Sequence, residues 1–352
     1  MSSPEKSDPK SAYKNLALGG VLVAEDGGGS SLVRGSKDLR RPLETKVPLT
    51  VIVGPTAVGK TEIAIQLAER LEGEIVSADS RLFYRGMDIG TAKPTLEERL
   101  RVPHYLIDVA DPRATWSLAL FQKAASEAIA GIQARGHLPL LVGGTGQYVH
   151  AVTHGWTPPV TSPDAYLRAE LEAEVESKGY QALHEELQKL DPAAAEKIDP
   201  RNVRRTVRAL EVIRLTGKKF SEQRRQAASP YRLLTIGLSR PRPEIYARVD
   251  ARIESMFAAG LLDEVQRLLN SGCSPDLPSM SAIGYRECVS VLAGRMDVEE
   301  AKTEMRRLTR IFVRRQANWF KLDDPSIHWF EAGKAKLEEI EEMIRTFLEA
   351  DV

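Results

Sequence analysis

Residues Gly54, Pro55, Thr56, Ala57, Val58, Gly59, Lys60 and Thr61 follow the spacing G-x4-G-K-[ST] between a short apolar run and a helical pattern. No other stretch restricts the fold so tightly. Its glycines let the backbone curl until successive N–H groups face one point, and the next helix adds the positive end of its dipole. Such a loop requires a strand leading in and a helix leading out. Residues 49–53 read as the buried strand and residues 60–71 as the helix. The loop is expected to bind a diphosphate or triphosphate. Lys60 would reach the terminal phosphate, and the Thr61 hydroxyl could hold Mg2+.

Around the loop, short apolar runs alternate with helical stretches, the pattern of a parallel α/β sheet. Residues 74–77 and 138–142 read as further strands and residues 118–134 as a crossover helix. After Thr157-Pro158-Pro159 the strand signal all but vanishes, and residues 163 to about 225 show helical periodicity. Strand character returns at residues 233–238, with amphipathic helices over 244–270 and 298–320. The expected class is α/β: a P-loop NTPase-like parallel sheet flanked by helices, with a mostly helical insertion domain. We place the first part of the core at residues 49–160, the insertion at 161–228, and the rest of the core with the C-terminal helices at 229–352. Residues 1–48, rich in Ser and Gly, read as a mostly disordered extension. Glu5, Asp8, Glu25 and Asp26 argue against a transit peptide there.

The 352 residues can bury a sizeable core. Cys273 and Cys288 are too few for a disulfide scaffold or a four-cysteine zinc site, so a cytoplasmic location is expected. No run approaches the ~20 apolar residues that span a bilayer. Equal numbers of acids and bases, 49 each, seem to argue against a nucleic-acid partner, but the distribution is uneven. Residues 201–225 hold nine cations against Glu211 and Glu222, and residues 305–321 hold six cations and no acid. On a helix, Arg306, Arg310 and Arg314 line one face while Leu308, Ile311 and Phe312 point elsewhere. Two such tracts beside a phosphate loop suggest contact with a nucleic-acid backbone.

A nucleotide hydrolase or kinase usually ends another core strand on a carboxylate that holds Mg2+. Here residues 138–142 run into Gly143-Gly144-Thr145-Gly146 with no acid. The well-placed carboxylate is Asp79, just past the strand at residues 74–77, either as a base or as a helix cap. His104, Trp116, Trp156 and Trp319 read as structural, the cysteines as inert thiols, and Lys93 as either a diphosphate contact or a solvated side chain.

Eight blocks between residues 50 and 322 resemble one family, the tRNA dimethylallyltransferases, which alkylate N6 of adenosine 37 beside the anticodon. They are the loop, Asp79-Ser80-Arg81 with Tyr84, Gly90-Thr91-Ala92-Lys93-Pro94, Pro103 to Asp108, Gly143 to Gly146 with Tyr148, Arg208 to Val212, and Ile283 to Glu287, followed by Thr309-Arg310, Arg314-Arg315-Gln316 and Trp319-Phe320. The resemblance implies that the loop holds the diphosphate of dimethylallyl diphosphate with Mg2+ and that no nucleotide is hydrolysed. It implies that Asp79 is the base for the adenine amine, with Thr145 beside it, while Ser80, Arg81 and Leu82 face tRNA. It carries tRNA contact onto Arg204, Arg205, Thr206, Val207 and Arg208 of the insertion, and suggests Arg168. Arg310 and Arg314 follow from the basic stripe. Leu82-Phe83 and Gln147 depart from the family pattern, and the lack of the zinc finger of eukaryotic members makes the chain look bacterial-type. The partners expected are dimethylallyl diphosphate and the tRNA anticodon loop of tRNAs reading codons that begin with U, with no membrane, and the chain acting as a monomer. The rival readings are a P-loop small-molecule kinase and a nucleotide-gated RNA-binding protein.

Overall fold

The apolar run before the loop is buried on both faces because it becomes the middle of a parallel sheet. In the computed structural model, which describes residues 46–157, 164–223, 225–226 and 228–350, Leu49 through Val53 have no exposed surface. This strand, β1 (Val47–Val53), feeds the loop and α1 (Lys60–Arg70). Then come β2 (Gly73–Ser77), α2 (Leu96–Arg101), β3 (His104–Tyr105), α3 (Leu118–Ala134), β4 (Leu138–Gly143) and α4 (Gly146–Thr153). The expected disordered extension lies outside the described residues apart from its last three positions, and Val47 already belongs to the sheet.

The six strands of the main sheet are ordered β3-β2-β4-β1-β7-β8 and all pair in parallel. Here β7 is Tyr231–Ser239 and β8 is Ile327–Glu331. Alternate side chains of β1 enter different layers. Leu49, Val51 and Val53 join Phe121, Ala125 and Ile129 of α3 and Ile245, Val249 and Ile253 of α9 (Arg242–Ala258). Ile52 packs on the opposite face, with Ile65 and Leu67 of α1 and Ile340 and Ile344 of α13 (Leu337–Glu349). Val53 pairs with Gly143 and Gly237, and Ser77 with Val142. The loop after β1, Asp79 after β2 and Thr145 after β4 therefore share one edge, the carboxyl ends of the strands, where open α/β sheets build their sites. The edge strand β8 and helix α13 add to the expected elements.

Helices α5 (Ala165–Leu190), α6 (Pro192–Lys197), α7 (Val203–Thr216) and α8 (Phe220–Gln223) pack around an apolar cluster of their own that includes Leu171, Leu187, Leu210 and Phe220. Asp191 ties this lobe together: it caps α6 and accepts from the N–H and hydroxyl of Ser221, each at 2.7 Å. β5 (Trp156–Thr157) pairs antiparallel with β6 (Arg225–Gln226), a small sheet that joins the end of the first core part to the end of the stretch read as helical.

On the other side, α9 is followed by α10 (Leu261–Asn270), α11 (Tyr285–Leu292) and α12 (Val298–Ala317). Buried Glu264 of α10 accepts from the N–H groups of Asp88, Ile89 and Gly90 at 3.0, 2.9 and 3.3 Å, and from the Tyr285 hydroxyl. A Cβ on Gly90 would lie 2.4 Å from the Tyr285 ring, so this segment tolerates only glycine there. Lys93 is neither solvated nor at the phosphate loop: its side chain is 3% exposed and its ammonium pairs with Asp88 and Asp108. Glu264→Ala, which strands four donors, is expected to cost about 3 kcal/mol or more and to lower the melting temperature by at least about 5 °C. Calorimetric unfolding within about 1 °C of the parent protein would contradict this.

Candidate active site

In the loop, the carbonyls are turned outward and the amides inward. Arg248 Nε donates to the Ala57 carbonyl at 2.7 Å and Arg240 Nε to the Val58 carbonyl at 2.9 Å. A trans peptide points its N–H opposite its C=O, so these contacts aim the N–H groups of Val58 and Gly59 away from the two arginines. Ala57 holds φ at +62°, a conformation that costs a non-glycine residue energy, and the Arg248 contact restrains it. Gly54 has φ +151° and a Cβ there would meet the Leu238 carbonyl at 2.5 Å. Lys60 folds under the loop, its Nζ 2.9 and 2.8 Å from the carbonyls of Gly54 and Pro55. Among the described residues, no hydrogen bond takes up the N–H groups of Ala57, Val58, Gly59, Lys60 or Thr61, and the Thr61 side chain is exposed. Five free donors at a helix N-terminus form an anion cradle.

Cations crowd this cradle. Burial pushes Lys60 down from the usual 10.5 to about 8, against the opposing pull of Asp79 and with the help of Arg252. Burial, and then the like charge of Arg248, holds Arg252 below the ordinary arginine value. Arg240, Arg248 and Arg252 were not among the residues expected from sequence. The readable signal was the pair Arg248 and Arg252, one turn apart on α9 after a parallel strand.

Asp79 is half-buried, and its Oδ1 accepts from the Arg81 N–H at 2.9 Å. The Ser80 N–H points to Thr145 Oγ1 at 3.4 Å, joining the ends of β2 and β4. Asp79 thus caps a turn rather than a helix and stands beside Thr145 and within the field of Lys60. Next to it lies an aromatic wall. Tyr148 of α4 stacks on Phe121 at 4.4 Å and Phe83 at 5.7 Å, and Phe83 meets Trp116 at 5.3 Å. Burial pushes the Tyr148 hydroxyl up to about 12, so it stays protonated beside the carboxylate.

The basic tracts are less free than the sequence suggests. Arg306 pairs with Glu254, Arg307 with Glu304 at 2.6 Å, and Arg310 with Asp250 at 2.8 Å while lying 5.1 Å over Tyr246. Asp250 and Glu254 belong to α9, a neighbour in space, so the acids absent from residues 305–321 are supplied from another helix, while the Arg310 side chain stays 40% exposed. The apolar face of α12 is Ala301, Met305 and Val313, and Phe312 is 38% exposed. Arg314 and Arg315 are exposed and carry no ion pair among the described residues.

In the helical lobe, Arg204 and Arg205 likewise carry no ion pair among the described residues. Thr206 and Val207 are turned into the lobe's core at 1% and 2% exposure, so their side chains do not suit the RNA contact expected of them. Arg168 and Arg208 converge on fully buried Glu211 at 2.9 and 2.7 Å. Burial raises this carboxyl, but hydrogen bonds from Arg208, Arg168 and the Asp164 N–H outweigh it and hold Glu211 below its usual range. Arg81 reaches the Pro278 carbonyl at 3.0 Å, and the half-buried Leu82 accepts from the Asp108 N–H at 3.1 Å.

The IPP transferase family matches residues 82–323, and the Isopentenyl transferase family residues 47–108. The chain belongs to the IPP transferase family. It is 55% identical over 275 residues to the tRNA dimethylallyltransferase of Roseiflexus sp., covering 78% of this chain and 90% of the relative. The corresponding protein of Thermomicrobium roseum is 48% identical over 289 residues, 82% of this chain and 88% of that one. The crystal structure of the tRNA isopentenylpyrophosphate transferase from Bacillus halodurans aligns with a TM-score of 0.64 at 44% identity, covering 87% of this chain and 96% of that one. A eukaryotic dimethylallyltransferase captured acting on tRNA aligns with a TM-score of 0.70 at 26% identity, covering 85% and 77%. The P-loop NTPase-like fold is that of the family, a family of transferases acting on diphosphate substrates.

The Lys60 value gives a pH prediction. A bound anion favours the ammonium and raises its pKa, so above about pH 8 binding must take up a proton. After correction for the ionisations of pyrophosphate itself, inorganic pyrophosphate affinity should be constant below pH 8 and fall as pH rises toward 10, with proton uptake visible by calorimetry in buffers of different ionisation enthalpy. In Lys60→Met the affinity should be weaker and this pH dependence lost; an unchanged dependence would contradict the assignment. In the unliganded protein the sign for stability is opposite. The folded state binds fewer protons than the unfolded one between about 8 and 10.5, so this group's contribution rises with pH across that window.

Proposed function

We propose that this chain transfers a dimethylallyl group from dimethylallyl diphosphate to N6 of adenosine 37 in tRNAs reading codons that begin with U. The products are N6-dimethylallyladenosine and diphosphate. The observation that carries this reading is the juxtaposition of five free loop amides with Asp79 on one sheet edge: an anion site beside a base. The relatives' names supply the substrate class, and they do not favour the small-molecule kinase.

An exocyclic amine is a weak nucleophile, so transfer needs both a base and a stabilised leaving group. As N6 bonds to the allylic carbon and the carbon–oxygen bond breaks, Asp79 accepts the N6 proton. The loop amides, Lys60 and Arg252 neutralise the charge growing on the departing diphosphate. The partly buried Tyr148 ring, backed by the core side chains Phe83 and Phe121, gives the site an apolar side that would disfavour water at the reacting carbon. The exposed Thr61 hydroxyl is a hard oxygen donor that suits Mg2+, and no cluster of three or more His, Cys, Asp or Glu side chains fit to hold a metal exists among the described residues. Such an ion, completed by substrate oxygens and water, would add further charge neutralisation on the diphosphate.

The target base must leave its stack, which an unpaired anticodon-loop base does cheaply. The helical lobe offers Arg204 and Arg205 to the RNA backbone, and the end of α12 offers Arg314 and Arg315. We take the chain to act as a monomer. Two buried free thiols fit a reducing cytoplasm, and no helix among the described residues is long and apolar enough to cross a membrane.

Labelled dimethylallyl diphosphate incubated with Mg2+, unmodified tRNA and the protein should leave label in tRNA, and none with a folded protein would overturn the reading. Asp79→Ala should lower kcat by about 100-fold or more, with tRNA affinity changed less than about twofold. Arg314→Ala should weaken tRNA binding and reduce the magnitude of the slope of log affinity against log salt by about one. Arg310→Ala, already neutralised by Asp250, should change that slope less.

A further inference from the structure

Gln316 lies in the last turn of α12 and is 5% exposed. Its Oε1 accepts from the Thr56 N–H at 2.8 Å, and its Nε2 donates to the Gly144 carbonyl at 3.0 Å. One carboxamide thus spans the loops that leave β1 and β4, from positions 260 and 172 residues distant in sequence. A Cβ on Gly144 would lie 2.3 Å from Nε2, so the contact needs the glycine. A carboxamide suits this place because it presents an acceptor and a donor on one rigid plane, which neither a carboxylate nor an ammonium does. The bond to Thr56 immobilises the N-terminal half of the cradle, opposite the arginines that hold its carbonyls. The bond to Gly144 fixes the residue before Thr145, which itself contacts the turn containing Asp79.

We propose that Gln316 is a positioning residue that sets the anion cradle in register with the base on the neighbouring strand end. It touches neither substrate and acts through Thr56 and Gly144. The proposal rests on the reading of the cradle as a diphosphate site and of Asp79 as the base. Arg314 and Arg315 flank it on the exposed side of the same turn, so removing the carboxamide leaves the RNA-facing side chains in place. A specific loss at the diphosphate is therefore expected, with RNA binding spared.

The test uses the full chain carrying Gln316→Ala or Gln316→Glu. Calorimetry reads inorganic pyrophosphate binding with Mg2+, filter retention reads tRNA binding, and steady-state transfer reads kcat and both KM values. Gln316→Ala should weaken pyrophosphate binding and raise the KM for dimethylallyl diphosphate about tenfold, the effect of losing one or two buried hydrogen bonds. The dissociation constant for tRNA should stay within about twofold.

Gln316→Glu keeps an acceptor for Thr56 but faces the Gly144 carbonyl with a lone pair unless protonated. Its pyrophosphate affinity should therefore approach the parent value as pH falls from 8 to 6. A Gln316→Ala protein that melts like the parent and binds pyrophosphate equally well overturns the proposal. So does an equal loss of pyrophosphate and tRNA affinity, which marks a general packing role. If Gln316→Ala does not fold, Gln316→Glu decides: a ratio to the parent affinity that is independent of pH overturns the proposal. Should the parent protein label no tRNA while the variants still lose pyrophosphate binding as stated, the functional reading fails and the positioning role stands.

Discussion

Everything at the site depends on which way the peptide groups of residues 54–61 point. A glycine-rich loop can adopt many conformations, and left alone it would not keep Ala57 at a positive φ or five consecutive amides without partners. Here the loop is held from outside by Arg240 and Arg248 on its carbonyls and by Gln316 on the Thr56 amide. The polar donors it exposes are costly in an empty site, and an anion bound there recovers that cost as binding energy. The parallel sheet delivers the loop to the right edge; the distant side chains give it its direction.

Charge follows the same division between local and distant. The balance of 49 cations and 49 anions reads as neutrality, while the structure gives the described cations different roles. Some are neutralised by acids on adjacent helices, as Arg306 and Arg310 are by Glu254 and Asp250. Some converge on a buried acid, as Arg168 and Arg208 do on Glu211. Others crowd the cradle, as Lys60 and Arg252 do, and others carry no ion pair among the described residues, as the exposed Arg204, Arg314 and Arg315 and the half-buried Arg205 do. Among the described residues of the two tracts, the cations with charge to spare for phosphates are thus fewer than the tracts imply.

What could be read from sequence divides along the same line. Helix α3 spans Leu118–Ala134, as its pattern predicts, because Ser117 caps it by accepting from Leu120 N–H and its buried face recurs at helical spacing. The placement of the loop and Asp79 at strand ends was legible because short runs next to strands mark it, while Thr145 entered only through the family resemblance. Strand β8 was not, since an edge strand whose residues are mostly half-buried shows no clean alternation. Gln316, Arg240 and Arg248 as supports of the cradle were hidden because each acts on a backbone atom more than 180 residues away. The acids facing Arg306 and Arg310 were invisible because they sit on another helix, 52 and 60 residues away, while buried Thr206 and Val207 show that family position alone does not say which way a helix residue faces.

The most direct measurement is a crystal structure of the chain with a non-reacting thio analogue of dimethylallyl diphosphate and an unmodified anticodon stem-loop. The account predicts the diphosphate oxygens within hydrogen-bond distance of the amides of residues 57–61 and the adenine N6 within reach of the Asp79 carboxylate. A diphosphate bound elsewhere, or an adenine whose N6 faces away from Asp79, would contradict it.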